Sequence, residues 1–559
     1  MKRSCYTMKT FSAFDRNRIL NDMKAEQLDL LVIGGGITGA GISLDATTRG
    51  LKSGLVEMQD FGAGTSSRST KLVHGGLRYL KQFEVRMVAE VGKERAIVYE
   101  NGPHVTTPEW MMLPFHKGGT FGPFTTNIGL RVYDFLAGVK KGERREMLSP
   151  EEAVEKEPLI KKEQLKGAGY YVEYKTDDAR LTIEVMKKAV EHGAYAVNYA
   201  QAIDYIYDTE GQINGVVVRD NISGETYHIH AKKIINACGP WVDDLREIDG
   251  SKQGKTLSLT KGIHLVFSKS DFPLKQAIYF DAPDGRMIFA IPRNDKTYVG
   301  TTDTRFSGDL KHPHVTVEDR DYLLDAIHAN FPSVEVNKDN VESSWAGVRP
   351  LIAEDGKDPD EISRKDEIFI SDSGLISMAG GKLTGYRKMA EQAVDTVTEQ
   401  LKAEEGIIYS SSNTEHLPIS GGETGGSKGY HAFKKKKMNE GARLGLGEKQ
   451  TELLLQKYGT NIDSIFDYYT QDHPEHMDPL VFAELQYGIF NEMVLKPTDF
   501  FIRRTGALYF DIHWVKKHKE SVFDYLADQF SWDANEKTKN RNELEKLILE
   551  ATTPVTSNE

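Results

Sequence analysis

The sequence predicts a mixed architecture, α/β plus α+β. It has three parts: a parallel-sheet domain assembled from separated pieces of chain, an antiparallel-sheet domain, and a C-terminal α-helical domain. Three observations carry this. A glycine-led strand–turn–helix unit stands near the N-terminus and another near residue 380; a run of alternating strands lies between them; and from about Tyr430 the apolar spacing turns helical. The expected boundaries are 20–100, 167–250 and 351–402 for the first domain and 101–166 with 251–350 for the second. A linker is expected at 403–429 and the helical domain at 430–559.

The opening unit runs from Asp29 to Glu57. Leu30 to Ile33 is a short apolar run that ends at glycine, the mark of a buried parallel strand. Gly34, Gly36 and Gly39 have the G-x-G-x-x-G spacing of a Rossmann-like dinucleotide site. The first glycine permits the tight turn, the second lets backbone approach a pyrophosphate, and the third packs helix on strand. The helix opening at Ile37 and Thr38 turns its free N–H groups and positive dipole end toward phosphates. A second strand, Ser53 to Val56, ends at Glu57, whose carboxylate suits ribose hydroxyls.

Composition bounds the function. A chain of 559 residues suits two or three domains. A net charge of -12 argues against a nucleic-acid partner. Two cysteines, Cys5 and Cys238, exclude a disulfide framework and a cysteine metal site, and suit a reducing compartment. No apolar run reaches the ~18 residues of a membrane span, so any membrane contact is peripheral.

Residues 1–27 carry Phe11, Phe14, Leu20 and Met23 at helical spacing among basic residues. They read as a short helix packed on the first domain or as a basic segment on a membrane surface. After Glu57, a loop with Thr65, Ser66 and Ser67 offers hydroxyls at the carboxyl edge of the sheet. His74, Gly75, Gly76, Leu77, Arg78 and Tyr79 then combine close backbone approach with a cation. Trp110 to Phe115 reads as a strand, Ile128 to Val139 as a helix, and Ser149-Pro150 as a capped helix start. Asp177 to His192 reads as an amphipathic helix, followed by a β meander. Lys233 to Gly239 reads as a buried strand returning to the first sheet. Ile263 to Phe267, Ala277 to Phe280, Met287 to Ile291 and Thr297 to Thr301 read as an antiparallel sheet flooring a pocket. Val317 to Phe331 reads as a helix. Leu375 to Ala379 leads into Gly380, Gly381, Lys382, Leu383 and Thr384, then a helix through Leu401. Lys434 to Lys437 is a solvated face or an attraction to anionic lipid.

Together these pieces resemble the FAD-dependent glycerol-3-phosphate dehydrogenases, in the flavoprotein superfamily that includes D-amino-acid, glycine and sarcosine oxidases. The matching stretches follow in family order over roughly residues 25 to 400. They are the glycine fingerprint with Glu57, Ser66 through Leu80, Asn236 to Trp241 with Ala237 and Gly239, Lys261 to His264, Gly300 to Asp303, Gly347 to Leu351, and Gly380 to Thr384. Cys238 stands where many relatives have threonine or alanine, and no covalent flavin link is expected from it.

The resemblance implies FAD as cofactor and hydride removal from C2 of sn-glycerol 3-phosphate, giving dihydroxyacetone phosphate. It assigns Arg78 and Arg349 to the phosphate, whose geometry a guanidinium fork matches. His264, with His74 second, is assigned as base for the C2 hydroxyl. Lys382 is assigned to charge growing on the flavin, and Tyr79 to the pocket wall. Electrons are expected to pass to quinone, with the enzyme in the cytoplasm against the inner face of the cell membrane; a homodimer is left open. The alternatives are a glycerophosphate oxidase using dioxygen, an amino-acid oxidase, an NAD-only dehydrogenase and a non-catalytic flavin-binding scaffold.

Overall fold

The computed structural model describes residues 10–74, 85–136, 141–354 and 366–556. Among them, eight strands form the first sheet. Leu28–Ile33 lies at its centre, parallel to Ser53–Val56 on one side and to Thr226–Asn236 on the other. Tyr195–Val197 and Ile376–Ala379 extend the parallel order outward, and Glu367–Ile370 adds an antiparallel edge. Leu28, Leu30, Leu31 and Val32 have no exposed surface, as a parallel strand covered on both faces requires. Helix Ile37–Arg49 packs between Asp178–Glu191 and Tyr386–Glu405. Gly41 lets it approach closely, since a methyl there would touch Tyr386 and Ala390.

Among the described residues the second sheet has ten strands, mostly antiparallel. Its longest pair, Lys255–Ser268 with Val341–Glu354, sets His264 opposite Trp345, Gly262 opposite Gly347 and Thr260 opposite Arg349. Residues opposite one another, and residues two apart, share a face, so these six side-chain positions form one surface. Strand Leu165–Thr176 belongs wholly to this sheet, paired with Thr106–His116. The boundary expected at 167 therefore cuts a strand, and the return to the first domain comes at Asp177, which caps the next helix. Periodicity could not find this boundary, because a strand looks the same in either sheet.

The stretch expected as a loose linker, 403–429, is packed. Thr414, Ile419 and Ser420 are buried, and Asn101 donates to the Thr414 carbonyl at 3.0 Å. The N-terminal helix Arg16–Ala25 buries Ile19, Leu20 and Met23 against the first sheet. Arg16 pairs with buried Asp220 at 2.8 Å. Of the two readings of this stretch, residues 10–25 take the packed one. In the lysine run, Lys434 pairs with Glu452, and Lys437 with Glu440 and Asp463, so its charge is largely answered within the chain.

The C-terminal region is helical from Gly426–Arg443 to Ala534–Thr552. One wide π-type turn, Asp499–Arg504, faces the first domain. Beyond the last helix, Val555 pairs with Thr316, its N–H donating to Val315 at 3.0 Å and its carbonyl accepting from Val317 at 3.0 Å.

Candidate active site

A cavity of about 520 Å³ opens at the carboxyl ends of the parallel strands, within the range typical of ligand pockets. Five of the stretches expected from the sequence line it: Gly34 with Gly36, Ile37 and Thr38; Glu57; Thr65 and Ser66; Ala237, Gly239 and Trp241; and Gly381, Lys382 and Leu383. The fold thus gathers thirteen of the expected cofactor positions around one space. Gly34 adopts φ +110°, and a methyl there would sit 2.6 Å from the Ala237 carbonyl. Gly39 lies beneath the turn, where a methyl would be 1.9 Å from the Gly34 carbonyl.

Glu57 accepts from the Gly35 N–H at 2.6 Å and the Gln59 N–H at 2.8 Å, one on each oxygen. A lone pair on each oxygen remains for a ribose hydroxyl. Burial raises its pKa above the ordinary carboxylate range, and the two backbone donors oppose that. Ser66 accepts from the Ile37 N–H at 3.0 Å, so its own proton is left to donate. Thr65 donates to the Val348 carbonyl at 2.6 Å and ties this loop to the second sheet. Ser67 is buried under the loop, its hydroxyl without a partner among the described residues. Thr384 is buried too; its hydroxyl accepts the His74 N–H and donates to the His74 carbonyl, both at 3.1 Å. Cys238 donates its thiol proton to Ile33, and burial holds that proton in place.

These donors fit FAD. A helix N-terminus with a spare hydroxyl suits pyrophosphate, Glu57 suits the ribose, and the Gly380–Thr384 turn with Lys382 closes the far side.

The assigned catalytic residues sit differently. His264 does not line this cavity. It is 1% exposed, stacked on Trp345 at 4.6 Å and 12°, with Nε2 against the Thr70 hydroxyl at 3.1 Å. Its Nδ1 has no partner among the described residues. Burial, then Arg349 and Lys71, hold its pKa well below the ordinary value, so the ring is neutral. Arg349 also lies off the cavity. Its guanidinium arches over Gly262 and donates to Thr301 Oγ1 at 2.7 Å, the Thr302 carbonyl at 3.1 Å and Asp303 at 3.3 Å. Only glycine at 262 leaves that room. His74 is held neutral by burial, against the field of Glu173, and meets Phe289 edge-on at 5.8 Å. Gly75, Gly76, Leu77, Arg78 and Tyr79 lie outside the described residues. The helix that follows them, Val85–Asn101, is pinned to the second glycine-led helix where Arg387 grips Glu94 at 2.8 Å.

Sequence reasoning missed Asp178 and Lys71. Asp178 lines the cavity and accepts from the Ser69 N–H at 2.9 Å and hydroxyl at 2.7 Å, and from buried Lys71. The signal for Asp178 was an aspartate pair, Asp177 and Asp178, at the start of an amphipathic helix. The wall formed by Ala200, Gln201, Ala202 and Ile203 had no signal, because these residues read only as one strand of the β meander.

Residues 29–387 match the model of the FAD-dependent oxidoreductases, and residues 412–537 match the C-terminal domain of alpha-glycerophosphate oxidase. The chain is 60% identical over 549 residues to the aerobic glycerol-3-phosphate dehydrogenase of Bacillus subtilis (strain 168), covering 98% of this chain and 99% of that one. It is 56% identical to the Staphylococcus haemolyticus enzyme of the same name, over 97% and 98% of the two chains. Its fold matches the solved glycerol-3-phosphate dehydrogenase of Bacillus halodurans, complexed with FAD. The TM-score is 0.85 and the identity 50%, with 98% of this chain and 100% of that chain covered.

Proposed function

This chain belongs to the FAD-dependent oxidoreductases, and among them to the aerobic glycerol-3-phosphate dehydrogenases; from that premise we propose that it oxidises sn-glycerol 3-phosphate to dihydroxyacetone phosphate. The observation that carries the reading is the meeting of five distant stretches at one cavity, with Lys382 in its wall and Arg349 on the adjoining sheet face. FAD, when bound, supplies the two-electron acceptor for the hydride of C2.

The chain's own residues do the rest. Arg349 grips the phosphate, its fork already oriented by Thr301 and Thr302. Arg78 is its partner cation in this reading. His264 takes the C2 hydroxyl proton at Nδ1, the nitrogen that Thr70 leaves unengaged. A neutral imidazole is the form that can accept, and an arriving phosphate dianion would offset the Arg349 charge that weakens its basicity. The stacked Trp345 fixes the ring plane. His74 is the second candidate base, its backbone locked by Thr384. Lys382 holds positive charge at the cavity wall.

Electrons leave to a membrane quinone in this reading, from the cytoplasmic face. None of the described helices is long and apolar enough to cross a membrane. A surface-lying candidate is Pro123–Leu136, which exposes Phe124 at 77% and Ile128 at 49%, one turn apart, with Arg131 beside them. The test is spectroscopic. Glycerol 3-phosphate should bleach the bound flavin, whereas glycine, sarcosine and D-alanine should not; bleaching by an amino acid instead would overturn the substrate assignment. Reoxidation by a quinone analogue much faster than by air would separate dehydrogenase from oxidase.

A further inference from the structure

The cofactor cavity is lined mainly by the first domain, yet the C-terminal domain grips two of the elements that form it through buried charge. Asp60, three residues after Glu57, is 1% exposed. Arg504 holds it with both prongs, Nη1 to Oδ2 at 2.8 Å and Nη2 to Oδ1 at 3.0 Å. Arg503 adds its Nε and reaches Asp499 at 2.8 Å. Asn198 completes the shell at 3.0 Å. From the same region, Glu492 takes both prongs of Arg180 at 2.8 Å, on the helix whose first residue is the cavity's Asp178.

This arrangement bears on Glu57. Asp60 and Glu57 are buried anions whose charges oppose one another, and Arg503 offsets that at Glu57. The loop that carries them is short and bonded to the glycine turn, Glu57 accepting from the Gly35 N–H at 2.6 Å and the Gly62 N–H donating to the Gly35 carbonyl at 2.9 Å. An unpaired Asp60 would pull the loop toward water and carry Glu57 and Gly35 with it. We propose that Arg503 and Arg504 are positioning residues for the cofactor: by fixing and neutralising Asp60 they keep Glu57 and the Gly35 turn shaped for the adenosine ribose of FAD. The helical domain is then a retention device for a cofactor it does not touch.

The inference rests on the cavity being the seat of FAD. Deflavinated full-length protein is titrated with FAD and followed by flavin fluorescence, with thermal melting in parallel. Arg504→Lys keeps the charge and loses the fork, and should raise the FAD Kd about tenfold or more. Asp60→Asn keeps the shape and loses the charge, and should raise it likewise; it carries the test if the arginine variant fails to fold. Leu455→Ala is the control, a cavity in the separate core around Tyr458 and Ile462. It should lower the melting temperature and leave the FAD Kd within twofold. An unchanged Kd in a folded Arg504→Lys or Asp60→Asn protein overturns the proposal, as does a Kd that follows melting temperature equally in all three. Wild-type protein that takes up no FAD would overturn the site assignment itself.

Discussion

His264 illustrates what a residue type can and cannot say. The resemblance assigns it as a base, and we propose it as one; its seat was not legible in the sequence. Stacking on Trp345 depends on a strand pairing some eighty residues away, which no local pattern reports. We expect His264→Asn to cut kcat/KM by about two to four orders of magnitude, with FAD uptake unchanged, as stopped-flow bleaching would measure. The sign of the pH effect follows from the depressed pKa: the ring stays neutral through neutrality, so the acid limb of kcat/KM lies below pH 6.5. Arg349→Met removes a cation that depresses it, so the limb should move up in pH while the KM for glycerol 3-phosphate rises at least tenfold. A limb that moves down would contradict the assignment. His104 gives a stability counterpart. Burial first, then Arg180 and Lys187, push its pKa to about 3, and neither nitrogen has a partner among the described residues. The unfolded histidine binds its proton near 6.5, so the unfolded state gains protons first. Stability should fall as pH drops from there toward 3, by up to roughly 5 kcal/mol. Urea midpoints at pH 7.5 and 5.5 should differ less in His104→Phe than in wild type.

At the scale of the element, the glycine-led units read almost directly from sequence, because close approach leaves a residue-type signature. Gly39→Ala tests this. Its methyl would meet the Gly34 carbonyl, so helix Ile37–Arg49 must lift from its strand. The purified variant should be colourless, with a lower melting temperature. What stayed illegible were elements defined by distant charge. Nothing in the run around Arg503 and Arg504 says that Asp60 waits for them more than 440 residues earlier. The 403–429 stretch is a related case: its hydroxyls and glycines read as linker, although Ser420 donates to Glu191 and Ser427 to Glu100, at the ends of neighbouring helices. Replacing Glu492 by Gln would leave Arg180 and Lys187 short of one anion. It should cost about 3–5 kcal/mol, as broken buried pairs do, read from the denaturant midpoint.

For the whole molecule, the membrane contact we propose is a matter of surface. Exchanging Phe124 and Ile128 for serine should reduce co-sedimentation with anionic vesicles severalfold, with turnover on a soluble acceptor retained; undiminished binding would move the contact elsewhere. The three-part plan was legible, because alternation and helical spacing persist over long stretches. The interlocking was not: the first domain completes itself from strands centred near residues 30, 55, 196, 232 and 378. That ordering has a consequence for biosynthesis. The central apolar strand Leu28–Ile33 emerges from the ribosome roughly two hundred residues before Ala231 to Asn236 can flank it. At about 5–20 residues per second, the wait is on the order of ten to forty seconds. Through that interval an uncovered hydrophobic ribbon must be shielded from neighbouring nascent chains, which makes this a natural client for a ribosome-associated chaperone.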